Sequence, residues 1–160
     1  MIRHILVSFV LCAGMAGCSS SQSPAVSNTP VASATTPIAA GDVGARLNQM
    51  RSQRGLRQLA FSEALTRAAR AHAIDMSQKG YFSHTSPNGG TLVDRVQAAG
   101  YTYCFVAENI AQGQQSAAEV MTAWMNSAGH RRNNLSDRAT EYGVARAAGN
   151  YWVLVLGSRC

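Results

Sequence analysis

With 160 residues and a 46% hydrophobic composition, the chain has material for one well-cored domain, whereas two would each be marginal. Its formal charge of +6 comes from thirteen arginines and one lysine against eight acids, a balance suited to anionic surfaces such as envelope polymers or phospholipid headgroups. Nucleic-acid binding has no support beyond that charge, because the chain has no basic run interleaved with aromatics, no Cys/His finger spacing and no recognition-helix pattern.

The chain opens Met1-Ile2-Arg3-His4, continues through an apolar run from Ile5 to Met15, and reaches Ala16-Gly17 before Cys18. A basic start, a short apolar core and small residues at the end are the layout of a secretory signal peptide over 1–17, too short to span a bilayer as a helix. The ending Met15-Ala16-Gly17-Cys18 resembles a bacterial lipobox with methionine in place of the usual leucine. That resemblance implies lipidation of Cys18 and an exported lipoprotein tied to the membrane through its anchor. Ser19 after the cysteine points to the outer membrane, facing the periplasm or the cell surface; ordinary secretion is the alternative.

Residues 18–42 form the lipidated cysteine and a linker of Ser, Ala, Val, Thr and Pro, with no aromatic residue and no charge before Asp42. Such a segment buries too little apolar surface to order itself, and it makes a flexible tether for the domain at 43–160. Loss of Cys12 with the leader and acylation of Cys18 leave Cys104 and Cys160, which in an oxidising compartment most simply pair, although two unpaired thiols remain open.

Within the domain, Val43, Leu47 and Met50 predict a helix to about Arg54, with Gly55 as its stop. Ser62 predicts the cap of a longer helix whose Leu65, Ala69, His72, Ala73 and Met76 share a face and which ends at Gly80. Thr91 with Asp94 predicts a short third helix closed by Gly100, and Ser116 with Glu119 a fourth that Gly129 closes. Strand signals lie at Tyr101–Val106, around Asn109–Gln112, at Glu141–Ala147 and at Tyr151–Gly157, the last two joined as a hairpin. The sum is an α+β fold with a small antiparallel sheet covered by helices.

Two histidines stand where loops are expected, His84 before Thr85-Ser86-Pro87-Asn88-Gly89-Gly90 and His130 after Gly129. His72, on the apolar face of the long helix, reads as a core-edge residue. Arg131 and Arg132 have the choice of a nearby phosphate or carboxylate and plain solvent. Ser83 and Ser127 each neighbour a candidate cleft residue, but no Gly-x-Ser-x-Gly turn marks a nucleophile.

Taken in order, Leu47-Asn48 with Arg51, Ala71-His72-Ala73, Phe82-Ser83-His84, Pro87-Asn88-Gly89, Arg95, Ala99-Gly100-Tyr101, Glu108-Asn109-Ile110-Ala111, Trp124-Met125, Gly129-His130-Arg131, Tyr142-Gly143-Val144 and Tyr151-Trp152 resemble the CAP (SCP) superfamily of cysteine-rich secretory, antigen-5 and pathogenesis-related proteins, in its bacterial branch. The resemblance implies a three-layer α-β-α sandwich around a central antiparallel sheet, and a cleft of two histidines and two acids. Three of those carry over, onto His84, Glu108 and His130; Ser127 stands where the second acid is expected. Two imidazoles and a carboxylate match an open divalent site, for zinc or a similar ion, and equally a metal-free cleft for a lipid, peptide or wall component. A non-catalytic binding module, taken as a monomer, is therefore the first expectation, and a metal-assisted peptidase or esterase the alternative.

Overall fold

The computed structural model describes residues 38–160, with side chains from Asp42 onward; the leader, Cys18 and nearly all of the linker lie outside the described residues. In chain order the elements are α1 (Ile38–Ser52), β1 (Ala60–Phe61), α2 (Glu63–Lys79), α3 (Leu92–Ala98), β2 (Phe105–Gln112), α4 (Ala117–Asn126), α5 (Ala128–Asn134), β3 (Glu141–Ala147) and β4 (Tyr151–Ser158). The sheet order is β1-β3-β4-β2.

Burial explains the order. Strand β4 is apolar almost throughout, sits between two antiparallel partners and is covered by helices on both faces. Its alternate side chains serve different layers. Trp152, Leu154 and Leu156 join Leu47, Met121 and Trp124 under α1 and α4, whereas Tyr151, Val153 and Val155 join Leu65, Ala69 and Met76 under α2 and α3. The result is the expected three-layer sandwich.

The long second helix begins and ends as its sequence requires. Ser62 Oγ accepts from the Leu65 N–H at 3.4 Å, and Gly80 closes the helix at φ 67°, its N–H bonded to the Met76 carbonyl. Thr91 and Asp94 form a reciprocal capping box. Helix α2 lies close to the sheet because Gly143 faces it: a Cβ there would fall on the backbone of Leu65 and Thr66. Cys104 and Cys160 are joined by a disulfide across 56 residues, next to the first rungs of the β2–β4 ladder.

Several expectations are corrected. The first helix starts at Ile38, so the last residues assigned to the linker are helical. The sheet is mixed, because the short β1 pairs parallel with β3 and only the other pairings are antiparallel. The two strand signals near residues 101–112 fuse into one strand starting at Phe105. Gly129 does not close the fourth helix. Ser127, with extended dihedrals, breaks the chain there and starts a further helix, α5, in which Gly129 is an interior residue without the positive φ that a stop needs.

Candidate functional site

Strand β2 is the edge of the sheet where both helical layers meet, and its alternation sends neighbouring side chains to opposite layers. Val106 and Ile110 pack with α2 and α3, and Ala107 and Ala111 with α1 and α4. Glu108 shares the first face and Asn109 the second. The dipeptide thereby addresses one histidine in each direction.

On the first face, Glu108 is buried, with only 3% of its side chain exposed, and both of its oxygens are used. Oε1 accepts from His84 Nδ1 at 2.8 Å, and Oε2 accepts from Arg95 Nη2 at 2.8 Å. Burial opposes ionisation of this carboxyl, but the His84 hydrogen bond and the Arg95 guanidinium outweigh it and hold Glu108 below the usual carboxylate range. An ionised carboxylate can only accept, so His84 carries its proton on Nδ1 and, when neutral, presents a bare Nε2. Its side chain is 55% exposed.

The backbone carrying His84 is fastened from below. Arg95 Nη2 also donates to the His84 carbonyl at 3.1 Å, and its Nη1 to the Gly90 carbonyl at 3.3 Å. His72 Nε2 donates to the Ser83 carbonyl at 2.9 Å and lies 3.9 Å from Glu108 Oε1. Burial lowers the pKa of His72, more than the nearby Glu108 charge raises it, so the ring is neutral and its buried Nδ1 has no hydrogen-bond partner among the described residues. Farther along the loop, Tyr81 donates its hydroxyl proton to Asp75, which also pairs with Lys79 at 2.6 Å, and these bonds hold Asp75 down at about 2.

On the second face, Asn109 Nδ2 donates to the His130 carbonyl at 3.1 Å and to Asn134 Oδ1 at 2.8 Å. Asn133 Nδ2 donates to Asn109 Oδ1 at 2.8 Å and to the Glu108 carbonyl at 3.2 Å. Trp124 Nε1 donates to the Ile110 carbonyl at 3.1 Å. These donors cover the outer edge of β2 and fix α5, so His130 is held on a short helix and not on a loop. Burial lowers the pKa of His130, and the charge of His84 opposes its protonation further.

The three expected residues are thus drawn to one edge of the sheet, but not as an ion's ligand set. Glu108 is buried and already holds Arg95 and His84, and among the described residues no group of three or more His, Cys, Asp or Glu is disposed to hold a metal. The residues present therefore do not fit zinc or a similar ion bound by His84, Glu108 and His130. Ser127 stands at the corner between α4 and α5 and offers no carboxylate in compensation. Ser83 Oγ accepts from the Thr85 N–H at 3.2 Å, and Arg131 Nη1 donates to the Met125 carbonyl at 3.0 Å.

Sequence reasoning missed the part played by His72 and Arg95. A histidine on an apolar helix face must find a partner or stay neutral, and an acid buried on a strand needs a buried cation. Those two requirements were visible, but the pairing was not.

Residues 45–156 match the profile of the cysteine-rich secretory protein family, CAP. Over 106 residues the chain is 42% identical to the uncharacterised Bacillus subtilis protein YkwD; that stretch is 66% of this chain and 41% of the relative, so the chain spans about two fifths of the protein it matches. The crystal structure of an extracellular protein containing an SCP domain from Bacillus anthracis superposes with a TM-score of 0.73 at 31% identity, covering 75% of this chain and 40% of that one. An outer surface protein from Borrelia burgdorferi shares the fold at a TM-score of 0.69 and 21% identity, covering 74% of this chain and 90% of that one.

Proposed function

We propose, from the premise that this chain belongs to the CAP family of cysteine-rich secretory proteins, that it is an exported binding module. Its His84 and His130 are offered to a lipid, peptide or cell-wall ligand of the envelope. The observation that carries this reading is how Glu108 is held: buried, with one oxygen accepting from Arg95 and the other from His84, it orients an imidazole and is withdrawn from a ligand at the surface. What remains for a ligand is the half-exposed His84 ring and the neighbouring His130.

Export is supported by the signal-peptide layout of residues 1–17 and by the likeness, at 31% identity, to a protein described as extracellular. The lipobox-like Met15-Ala16-Gly17-Cys18 and the polar linker support a tethered form, in which a lipid on Cys18 holds the domain near the outer membrane. Replacing Cys18→Ser is expected to release the protein from the membrane fraction; retention would overturn the anchor.

The cleft reading is tested by co-sedimenting the full chain with purified peptidoglycan sacculi and, separately, with phosphatidylethanolamine–phosphatidylglycerol vesicles. Binding to one of them that falls at least tenfold in His84→Ala or His130→Ala supports it. Undiminished binding in both variants overturns it. Stoichiometric metal in protein purified without chelator, lost in both variants, would put the metal-assisted hydrolase in its place.

A further inference from the structure

Helix α2 carries a second stripe. Arg70, Ile74, Ser77 and Gln78 recur at steps of four, three and one, and at about 100° per residue they lie on the far side of the helix from His72. Opposite them is the turn between β3 and β4, and the groove between has a volume of about 460 Å³, within the range of about 300–1,000 Å³ usual for small-molecule sites. Ser77 Oγ donates to the Ala148 carbonyl at 2.7 Å, fastening helix to turn.

The groove is apolar in its wall and cationic at its rim. Ile74 leaves 40% of its surface uncovered there. Arg146 is held in place: its Nε donates to Asn150 Oδ1 at 3.1 Å, its Nη2 bonds the same oxygen, and its guanidinium lies 4.8 Å from the centre of the Trp152 ring. Asn150 sits at φ 58°, a left-handed conformation that asparagine adopts in tight turns, and from there its side-chain oxygen reaches the arginine. All the partners of Arg146 are neutral. Neither Arg146 nor Arg70 pairs with an acid among the described residues, and no Asp or Glu lines the groove.

Two uncompensated guanidinia beside an uncovered aliphatic wall match one kind of occupant. We propose that this groove is a second binding site, separate from the His84 cleft, for a free carboxylate carried on a small apolar body. Arginine suits a carboxylate because its N–H groups make charge-assisted hydrogen bonds to it, while Ile74 and Ala148 accept the apolar part. The same chemistry belongs to an apolar residue at a peptide C-terminus and to a short-chain acid.

Calorimetric titration of the full chain with N-acetyl-leucine, N-acetyl-leucinamide, hexanoate and acetate separates these sources. N-acetyl-leucine or hexanoate should saturate at one per chain, and the tighter of the two names the source. The uncharged amide and the tail-less acetate should bind at least tenfold more weakly than the tighter acid. Arg146→Gln and Arg70→Gln should each weaken binding of that acid at least tenfold. Ile74→Glu, at an exposed helix position independent of the Trp152 stacking, should abolish saturable binding with the melting temperature unchanged. Equal affinity for the amide, wild-type affinity in Arg146→Gln and Ile74→Glu, or no saturable binding of either acid would overturn the site.

Discussion

The two helical layers cover the same sheet but do so with different chemistry. Under α1 and α4 the core is built from large side chains, among them Leu47, Met121, Trp124, Trp152 and Leu154. Under α2 and α3, Leu65 and Met76 are interspersed with Ala64, Ala68, Ala69 and Ala73, which bring the helix close to Gly143, and at one end the layer holds the polar group His72, Glu108 and Arg95. The first layer gains its stability from buried apolar area. The second keeps a buried ion pair because each charge has a partner, and that pair places His84 at the surface. The buried ion pair and His84 lie on one face of the sheet and the bulkiest apolar packing on the other, while His130 is held from that second face through Asn109, with strand β2 between them.

The contrast is broken most severely from the apolar side. Trp124→Ala should cost about 4 kcal/mol in urea unfolding, from lost area and the cavity left behind. The imidazole chemical shift of His84 should stay where it is in the folded fraction; a displaced shift would mean the layers are not separable. Next comes Glu108→Ala, which leaves the Arg95 guanidinium, only 10% exposed, without its partner and should cost about 3 kcal/mol while moving the His84 resonance. The double variant Glu108→Ala/Arg95→Leu should recover part of that loss, and strict additivity would deny the pairing.

Asn109→Ala tests the seam between the layers. It leaves the His130 carbonyl and the Asn133 and Asn134 amides short of partners, at about 2 kcal/mol, and should move His130 but not His84 in a histidine NMR spectrum.

The smallest effect is a dependence of stability on pH. The folded pKa values of His72 and His130 lie below their ordinary 6.5, so below about pH 6.5 the unfolded chain binds protons that the folded one refuses, and stability falls as pH drops. Glu108 adds to this at lower pH: its stabilisation is whole above the ordinary 4.5 and is lost as pH falls through its depressed folded value. His72→Gln, which keeps an N–H donor for the Ser83 carbonyl, should flatten the slope just below pH 6.5 in pH-dependent thermal unfolding. An unchanged slope would show that His72 is not the group being titrated.

Much of the fold could be read from local chemistry, because caps and periodicity act within a few residues. Ser62, Gly80, and Thr91 with Asp94 behave as their side chains dictate, and the hydrophobic stripe of α2 lies inward as spaced. Where local signals competed, the reading failed: Gly129 looked like a stop, but the break falls at Ser127, where the chain turns so that α5 can dock on β2 through Asn133 and Asn134.

The sequence by itself determined the α+β class, the pairing of Cys104 with Cys160 as the simplest outcome, and the nomination of His84, Glu108 and His130. Tertiary structure alone decided what those residues can do. Whether a carboxylate is a ligand, a base or an anchor depends on what else reaches its oxygens, and Arg95 and His84, distant along the chain, occupy both. The apparent acid of an active site is therefore the buried support for an exposed imidazole.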